Sequence, residues 1–317
     1  MGLRKYIAVR LIVTVPLMFA VSVFTFALIK LTPGNPINQL VALNPDISAA
    51  EIAELEERYG LGGSIVDQYV IWISDLLQGD FGTVIGVDQA VLPYIMERLP
   101  ETIMLGLFGW AIALIIAIPT GIYAAYKKDT LADTASRVFA LSGISLPNFW
   151  LGLMLILVFA LYLDLWPVLA PQKPLLSPEM LWYLILPGVT IGTAASANLM
   201  RVMRSSMAEE MNKEYVTAAR AKGLPERTVV LKHVLRNSLI SVVTLAAFLT
   251  SSIFAGSVVV ESVFAWPGLG RALVQGISGR EVDLVLAITL LTGIIIVLAN
   301  LLADIVYAIL DPRIRYD

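Results

Sequence analysis

Apolar residues in this 317-residue chain gather into six long runs, at 8–30, 103–126, 138–163, 181–203, 239–263 and 284–310. Each supplies roughly the 20 residues that a helix needs to cross about 30 Å of hydrocarbon. The pattern predicts an all-α integral membrane protein with six transmembrane helices. The run 181–203 is the weakest of the six, because Pro187 and Gly188 interrupt it and its second half is small and polar. Such breaks are tolerated where neighbouring helices satisfy the freed backbone groups.

The polar stretch 31–101 is too long for a simple connection and carries helical signals of its own. Ser48-Ala49-Ala50-Glu51 reads as a capping box, with Ile47 and Ile52 as the matching hydrophobic staple. That helix is expected to run to Tyr59 and stop at Gly60. A second is expected from Ser64 to Gly79, with Ile65, Tyr69, Trp72, Ile73 and Leu76 on one face. The segment 31–101 holds 11 acidic residues and two arginines. A solvated cap and a docking surface for a delivered solute both fit that charge.

Positive charge orients the chain. With the N-terminus inside, the segments 1–10, 127–137, 201–238 and 311–317 carry 16 of the 22 Lys and Arg residues, as the positive-inside rule requires. Both termini are therefore expected on the cytoplasmic side. Arg4, Lys5 and Arg10 precede an apolar run too long for a cleaved signal, so the first helix reads as a retained anchor. Composition agrees: 58% of residues are hydrophobic and 15% charged, against about 25% charged in ordinary soluble domains.

No enzyme constellation is present. His233 is the sole histidine and there is no cysteine, which removes multi-histidine and thiolate metal sites. None of the eight lysines follows a glycine, so there is no nucleotide-binding P-loop, and any ATP that drives the protein binds another chain. Asp304 and Glu261 are the acids inside spanning runs. Intramembrane acids are functional candidates by default, here for ion coupling or for structural pairing.

The stretch 201–238 is the most informative. Residues 205–222 are helix-forming and end at Gly223; Pro225 suits the first turn of a new helix from Glu226 to about Arg236. Ala218, Ala219 and Gly223 offer small surfaces at the bend, where another protein's groove can approach the backbone. Arg220, Lys222, Arg227 and Lys232 ring it with positive charge. Spacing alone leaves equally open a basic loop that merely sets topology.

The residues Glu214-Tyr215-Val216-Thr217-Ala218-Ala219-Arg220-Ala221-Lys222-Gly223-Leu224 resemble the EAA loop of dipeptide/oligopeptide-type permease subunits of binding-protein-dependent (type I) ABC importers. The likeness continues in order through Leu31-Thr32-Pro33-Gly34-Asn35-Pro36, Gly79-Asp80-Phe81-Gly82 and Ser145-Leu146-Pro147-Asn148-Phe149-Trp150. It ends with Glu261-Ser262-Val263-Phe264, Pro267-Gly268-Leu269-Gly270 and Asp311-Pro312-Arg313. Two departures stand out: Thr217 occupies the place of an acidic residue in the general pattern, with Glu214 three residues earlier, and Ser241 stands where many members have proline.

The resemblance implies one type I importer transmembrane domain over 1–317, with 31–101 as a helical extracytoplasmic insertion and 201–238 as the cytoplasmic coupling loop. It implies a plasma-membrane subunit that imports di- or oligopeptides. The partners it implies are a second homologous permease, two ATPase subunits that hold ATP and Mg2+, an extracytoplasmic solute-binding protein and membrane lipid, with no nucleic acid. Glu214, Thr217, Ala218, Ala219, Arg220, Lys222, Gly223, Leu224 and Pro225 would form the ATPase contact. Similar permeases are associated with nickel, glutathione and oligosaccharides, so the cargo stays open. Polar groups avoid lipid, which points Asn148, Ser196, Asn198, Ser251 and Ser252 toward a translocation path. The competing expectation is a self-contained secondary transporter or channel.

Overall fold

The structure is a computed structural model and describes residues 3–31, 37, 47, 48, 50–52, 54, 63–171 and 173–310. Helix α1 is Leu3–Leu31 and α2 is Ile65–Leu77. A hairpin of two-residue strands, β1 Thr83–Val84 paired antiparallel with β2 Gln89–Ala90, leads into α3, Val91–Met96. Then come α4 (Leu99–Tyr126), α5 (Leu131–Ser145) and α6 (Asn148–Leu155), which continues as a π-helix over Ile156–Tyr162. Helices α7 (Pro178–Tyr183), α8 (Ile185–Glu210) and α9 (Glu214–Ala221) follow. A single turn, Glu226–Thr228, passes through a π-helical stretch, Val229–Val234, into α10, Leu235–Val263. The chain closes with α11, Leu269–Gly279, and α12, Val282–Leu310.

Among the described residues five helical stretches are long and apolar enough to span a membrane, and a sixth if α5 and α6 count as one span. The expected run 138–163 is thus broken: α5 and α6 meet at 104° across Leu146-Pro147. Pro147 disfavours helical geometry at Leu146, whose ψ is 126°, so the helix cannot pass through.

The chain forms two compact units. The first centres on 103–266. Its middle is α8, the run that looked weakest, and it is the most buried of the long helices: Leu186, Ile191, Ala197, Leu199, Met200, Met203 and Met207 all lie inside. The small residues serve contact with other helices rather than with lipid. A Cβ on Gly192 would lie 2.7 Å from the Gly109 carbonyl oxygen of α4, so the two backbones touch there. Tyr183 stacks at 6.1 Å on the fully buried Trp266 and donates its hydroxyl to the Phe264 carbonyl.

The second unit takes in 4–102 and 267–297. The capping box at Ser48 is formed: Ser48 N donates to Glu51 Oε2 at 2.7 Å and Glu51 N donates to Ser48 Oγ at 3.3 Å. The expected end of that helix at Tyr59 and Gly60 lies outside the described residues. Helix α2 begins with a second box between Ser64 and Asp67, whose bonds hold the Asp67 carboxyl below the usual carboxylate range. Trp72 of α2 packs with Phe26 and Leu286, and Tyr69 shares a 2.8 Å hydrogen bond with Ser22. Ile65 of the expected apolar face is exposed instead, because it sits in the first turn, beyond the cluster that covers the rest of that face.

The hairpin is tied down by acids. Glu281, almost fully buried, accepts hydrogen bonds from the backbone N–H groups of Ile85 and Gly86, both at 2.7 Å. Burial raises its pKa above the ordinary glutamate value, against the pull of those two donors.

Candidate functional site

The loop that follows α8 is built from two helices, not from the single one expected over 205–222. Helix α8 ends at Glu210, and Met211–Lys213 form a turn before α9. Lys213 Nζ pairs with Glu210 at 2.8 Å, and the Tyr215 hydroxyl donates to Glu210 at 2.6 Å. Asn237 Nδ2 donates to the same hydroxyl at 3.1 Å. This network closes the turn and mounts α9 on α8 and on the start of α10.

Helix α9 has a buried and an open face. Val216 and Ala219 sink into the core, while Glu214, Thr217, Ala218 and Ala221 are exposed at the i, i+3, i+4, i+7 spacing of one helical stripe. The expected Ala218-Ala219 pair is therefore split: Ala218 faces out and Ala219 holds the helix down. Ala221 completes the open stripe, and its spacing from Thr217 and Ala218 was the signal for it. Narrow side chains there let a partner approach the helix backbone closely.

The helix ends in a Schellman turn. Gly223 N donates to Arg220 O at 2.9 Å and Leu224 N to Ala219 O at 3.4 Å. Gly223 has φ +74°, the left-handed geometry that glycine adopts without cost, and a Cβ there would meet nothing within 4 Å. Pro225 stands at the N-cap of the next turn, one place before the first helical position expected for it; its carbonyl accepts from Thr228 N and Val229 N at 2.8 and 3.1 Å. The second helix does not stop near Arg236 but runs on into α10. Arg220 is engaged with Glu226 across the turn, at 2.7 and 3.1 Å, which raises the guanidinium pKa further. Lys222, Arg227 and Lys232 form no ion pair among the described residues, so of the four cations around the bend these three keep their charge unpaired. Leu224 is exposed beside Lys222.

A second feature of the first unit is a cleft of about 280 Å³ between α6, α8 and α10. Asn148, Asn198 and Ser252 come to its wall from three helices, together with Leu249 and Gly256. Asn198 Nδ2 donates to Ala194 O at 3.0 Å, which leaves its side-chain oxygen as an acceptor. Ser196 is fully buried and donates to Thr193 O, and Ser251 donates to Phe248 O; neither lines the cleft. Serine satisfies its hydroxyl on its own helix in both cases, which removes the need for a wet face.

Glu261 is fully buried near the end of α10. The side chain of Asp304 and the stretches 32–36 and 311–317 lie outside the described residues. Among the described residues no group of three His, Cys, Asp or Glu side chains is placed to hold a metal ion.

Comparison with known proteins gives a consistent picture. The family described as binding-protein-dependent transport system inner membrane component matches residues 117–316. The oligopeptide transport system permease protein AppB of Bacillus subtilis is 37% identical, over 99% of this chain and 100% of its own length. The dipeptide transport system permease protein DppB of Alkalihalophilus pseudofirmus is 34% identical, over 97% and 98%. A chain of the inward-facing MetNI methionine ABC transporter superposes with a TM-score of 0.57 at 16% identity, over 69% of this chain and 97% of that one; at that identity the likeness concerns the fold.

Proposed function

The chain belongs to the binding-protein-dependent transport system inner membrane components, the transmembrane permease subunits of ABC importers, and we propose that it imports peptides. In this reading the open stripe of α9 takes the thrust of a separate ATPase. The observation that carries the reading is the build of that helix. Its outward face is Glu214, Thr217, Ala218 and Ala221, and its inward face is anchored by Val216 and Ala219. A rigid helix with one narrow open side and a fixed base converts pressure into displacement of α8 and α10.

ATP and Mg2+ are held by the partner ATPases. Two such subunits, a second homologous permease and an extracytoplasmic binding protein complete the importer, in the plasma membrane with both termini and the α9 turn in the cytoplasm. The positive-inside count supports that orientation. Segment 31–101 then faces the binding protein, and the whole of 1–317 works as one transmembrane domain. Closure of the ATPase pair favours one state of the pore and release favours the other; this difference in contact free energy couples hydrolysis to transport. Asn148, Asn198 and Ser252 offer peptide-bond partners on the path.

The test is co-purification of the tagged chain, expressed with its neighbouring genes, followed by ATPase and peptide-uptake assays in liposomes. An ATPase subunit is expected to accompany the chain and to be lost from Gly223→Asp, with uptake of a labelled oligopeptide dependent on ATP. A chain that purifies alone and moves solute without ATP overturns the reading.

A further inference from the structure

Asp133 is fully buried in the first turn of α5, and its carboxylate is surrounded by donors. Arg204 of α8 grips it with one edge of the guanidinium, Nε donating to Oδ1 at 2.5 Å and Nη2 to Oδ2 at 2.8 Å. Arg137, one turn along α5, donates Nη2 to Oδ2 at 2.5 Å, and the backbone N–H of Asp129 donates to Oδ2 at 3.0 Å. Asp129 itself sits at φ +64° in the turn between α4 and α5 and lies 3.6 Å from Arg137. Asp133 and Arg204 are 71 residues apart in sequence, and neither belongs to the α9 loop or to the cleft.

Burying such a cluster is a poor way to gain stability, since apolar residues of similar volume do as well or better. What a two-pronged guanidinium–carboxylate pair adds is fixed geometry. Arg204 lies on the last stretch of α8, just ahead of the braced turn that carries α9. At its far end α5 meets α8 again, where a Cβ on Gly143 would lie 2.9 Å from the Ala197 Cβ. The two attachments are about ten residues apart, roughly 15 Å along the helix. Held at both, α5 must follow α8, and the bend after Ser145 places Asn148 on the cleft wall.

We propose that Asp133 is a positioning residue for transport: through Arg204 it makes α5 and α6 move with α8, so that displacement of α9 reshapes the cleft at Asn148. The inference rests on the reading of α9 as the ATPase contact. Without the pair, α8 can tilt while α5 stays behind, and ATP is hydrolysed without opening a path.

The experiment uses the complete importer in proteoliposomes and measures ATP hydrolysed per peptide imported, with ATPase co-purification and thermal unfolding measured alongside. The variants are Asp133→Asn, Arg204→Lys and the double variant Asp133→Asn/Arg204→Gln. The double variant leaves no unpaired member of this pair, so it is expected to unfold near the wild-type temperature even where Asp133→Asn is poorly folded. In each folded variant the ATPase is expected to stay bound. ATP per peptide should rise about tenfold, the lower end of the effect of one lost charge-assisted hydrogen bond. A wild-type ratio in the well-folded double variant, or in Arg204→Lys, overturns the proposal and leaves the cluster a packing element. Hydrolysis and import falling in equal proportion overturn it too. Failure of the wild-type chain to hold an ATPase is a different result, and it overturns the α9 reading.

Discussion

The hydroxyl of Tyr215, in the first turn of α9, donates to the carboxylate of Glu210, the last residue of α8, across 2.6 Å. It thereby bridges the break between the two helices. Tyr215→Phe keeps the ring and removes the bridge. The expected loss is about 1 kcal/mol of stability, the usual net worth of one such bond. Transport should fall more than stability does, because α9 is then less rigidly mounted. Thermal unfolding and uptake on the same preparation check both.

Gly223 separates conformational strain from steric exclusion. Its Cβ position is open, so Gly223→Asn, which tolerates left-handed geometry, is expected to keep the fold and most of the Schellman turn. Gly223→Val should cost about 1–2 kcal/mol from the positive φ alone. If Asn and Val variants bind the ATPase equally well, the shape of this turn is not what the ATPase contacts.

Gly192 tests the close approach of α8 and α4. Any Cβ there meets the Gly109 carbonyl oxygen, a backbone atom that cannot rotate away. Gly192→Ala is expected to cost about 1–3 kcal/mol, as overpacked cores do, and Gly192→Leu to prevent accumulation of folded chain. A melting temperature for Gly192→Ala equal to that of the parent would show that the two helices are not in contact there.

The cleft is probed by filling it. Gly256 lies on its wall, and a Cβ there would come no closer than 3.8 Å to Asn148 Nδ2. Gly256→Leu should fold, keep its ATPase and lose most peptide uptake. Uptake at the parental rate would place the path elsewhere.

Glu281 predicts a pH dependence. Its pKa is raised in the folded chain, so the folded state keeps this proton to higher pH than the unfolded state does. Stability is therefore greatest below the unfolded value, about 4.3, and declines as pH climbs through the raised folded value. Melting temperatures measured upward from pH 4 should show that decline, and Glu281→Gln should make it shallower. An unchanged slope in the variant would assign the dependence to another group.

The parts of the fold that were legible in the sequence are those decided within a few residues. The capping box expected at Ser48 and the helix start expected at Ser64 formed because in each the donor and acceptor are three residues apart. The turn at Gly223 formed because only glycine takes φ +74° freely. By contrast, nothing local marked the break at Met211–Lys213. That turn is held by Lys213 and Tyr215 on Glu210 and by Asn237, which lies 22 residues beyond Tyr215.

The same distinction separates the membrane spans from the site. Long apolar runs, their number and the clustering of Lys and Arg are sums over neighbouring residues, and transfer into hydrocarbon depends on little more than those sums. Which face of each helix turns inward depends on how side chains of different helices fit together. Packing paired Gly192 with Gly109, brought Asn148, Asn198 and Ser252 to one cleft while leaving Ser196 and Ser251 off it, and set Asp133 against Arg204. A lone serine or aspartate carries no record of its helix's rotation. That rotation is fixed by close-range contacts between residues far apart in the chain, and only the tertiary structure contains them.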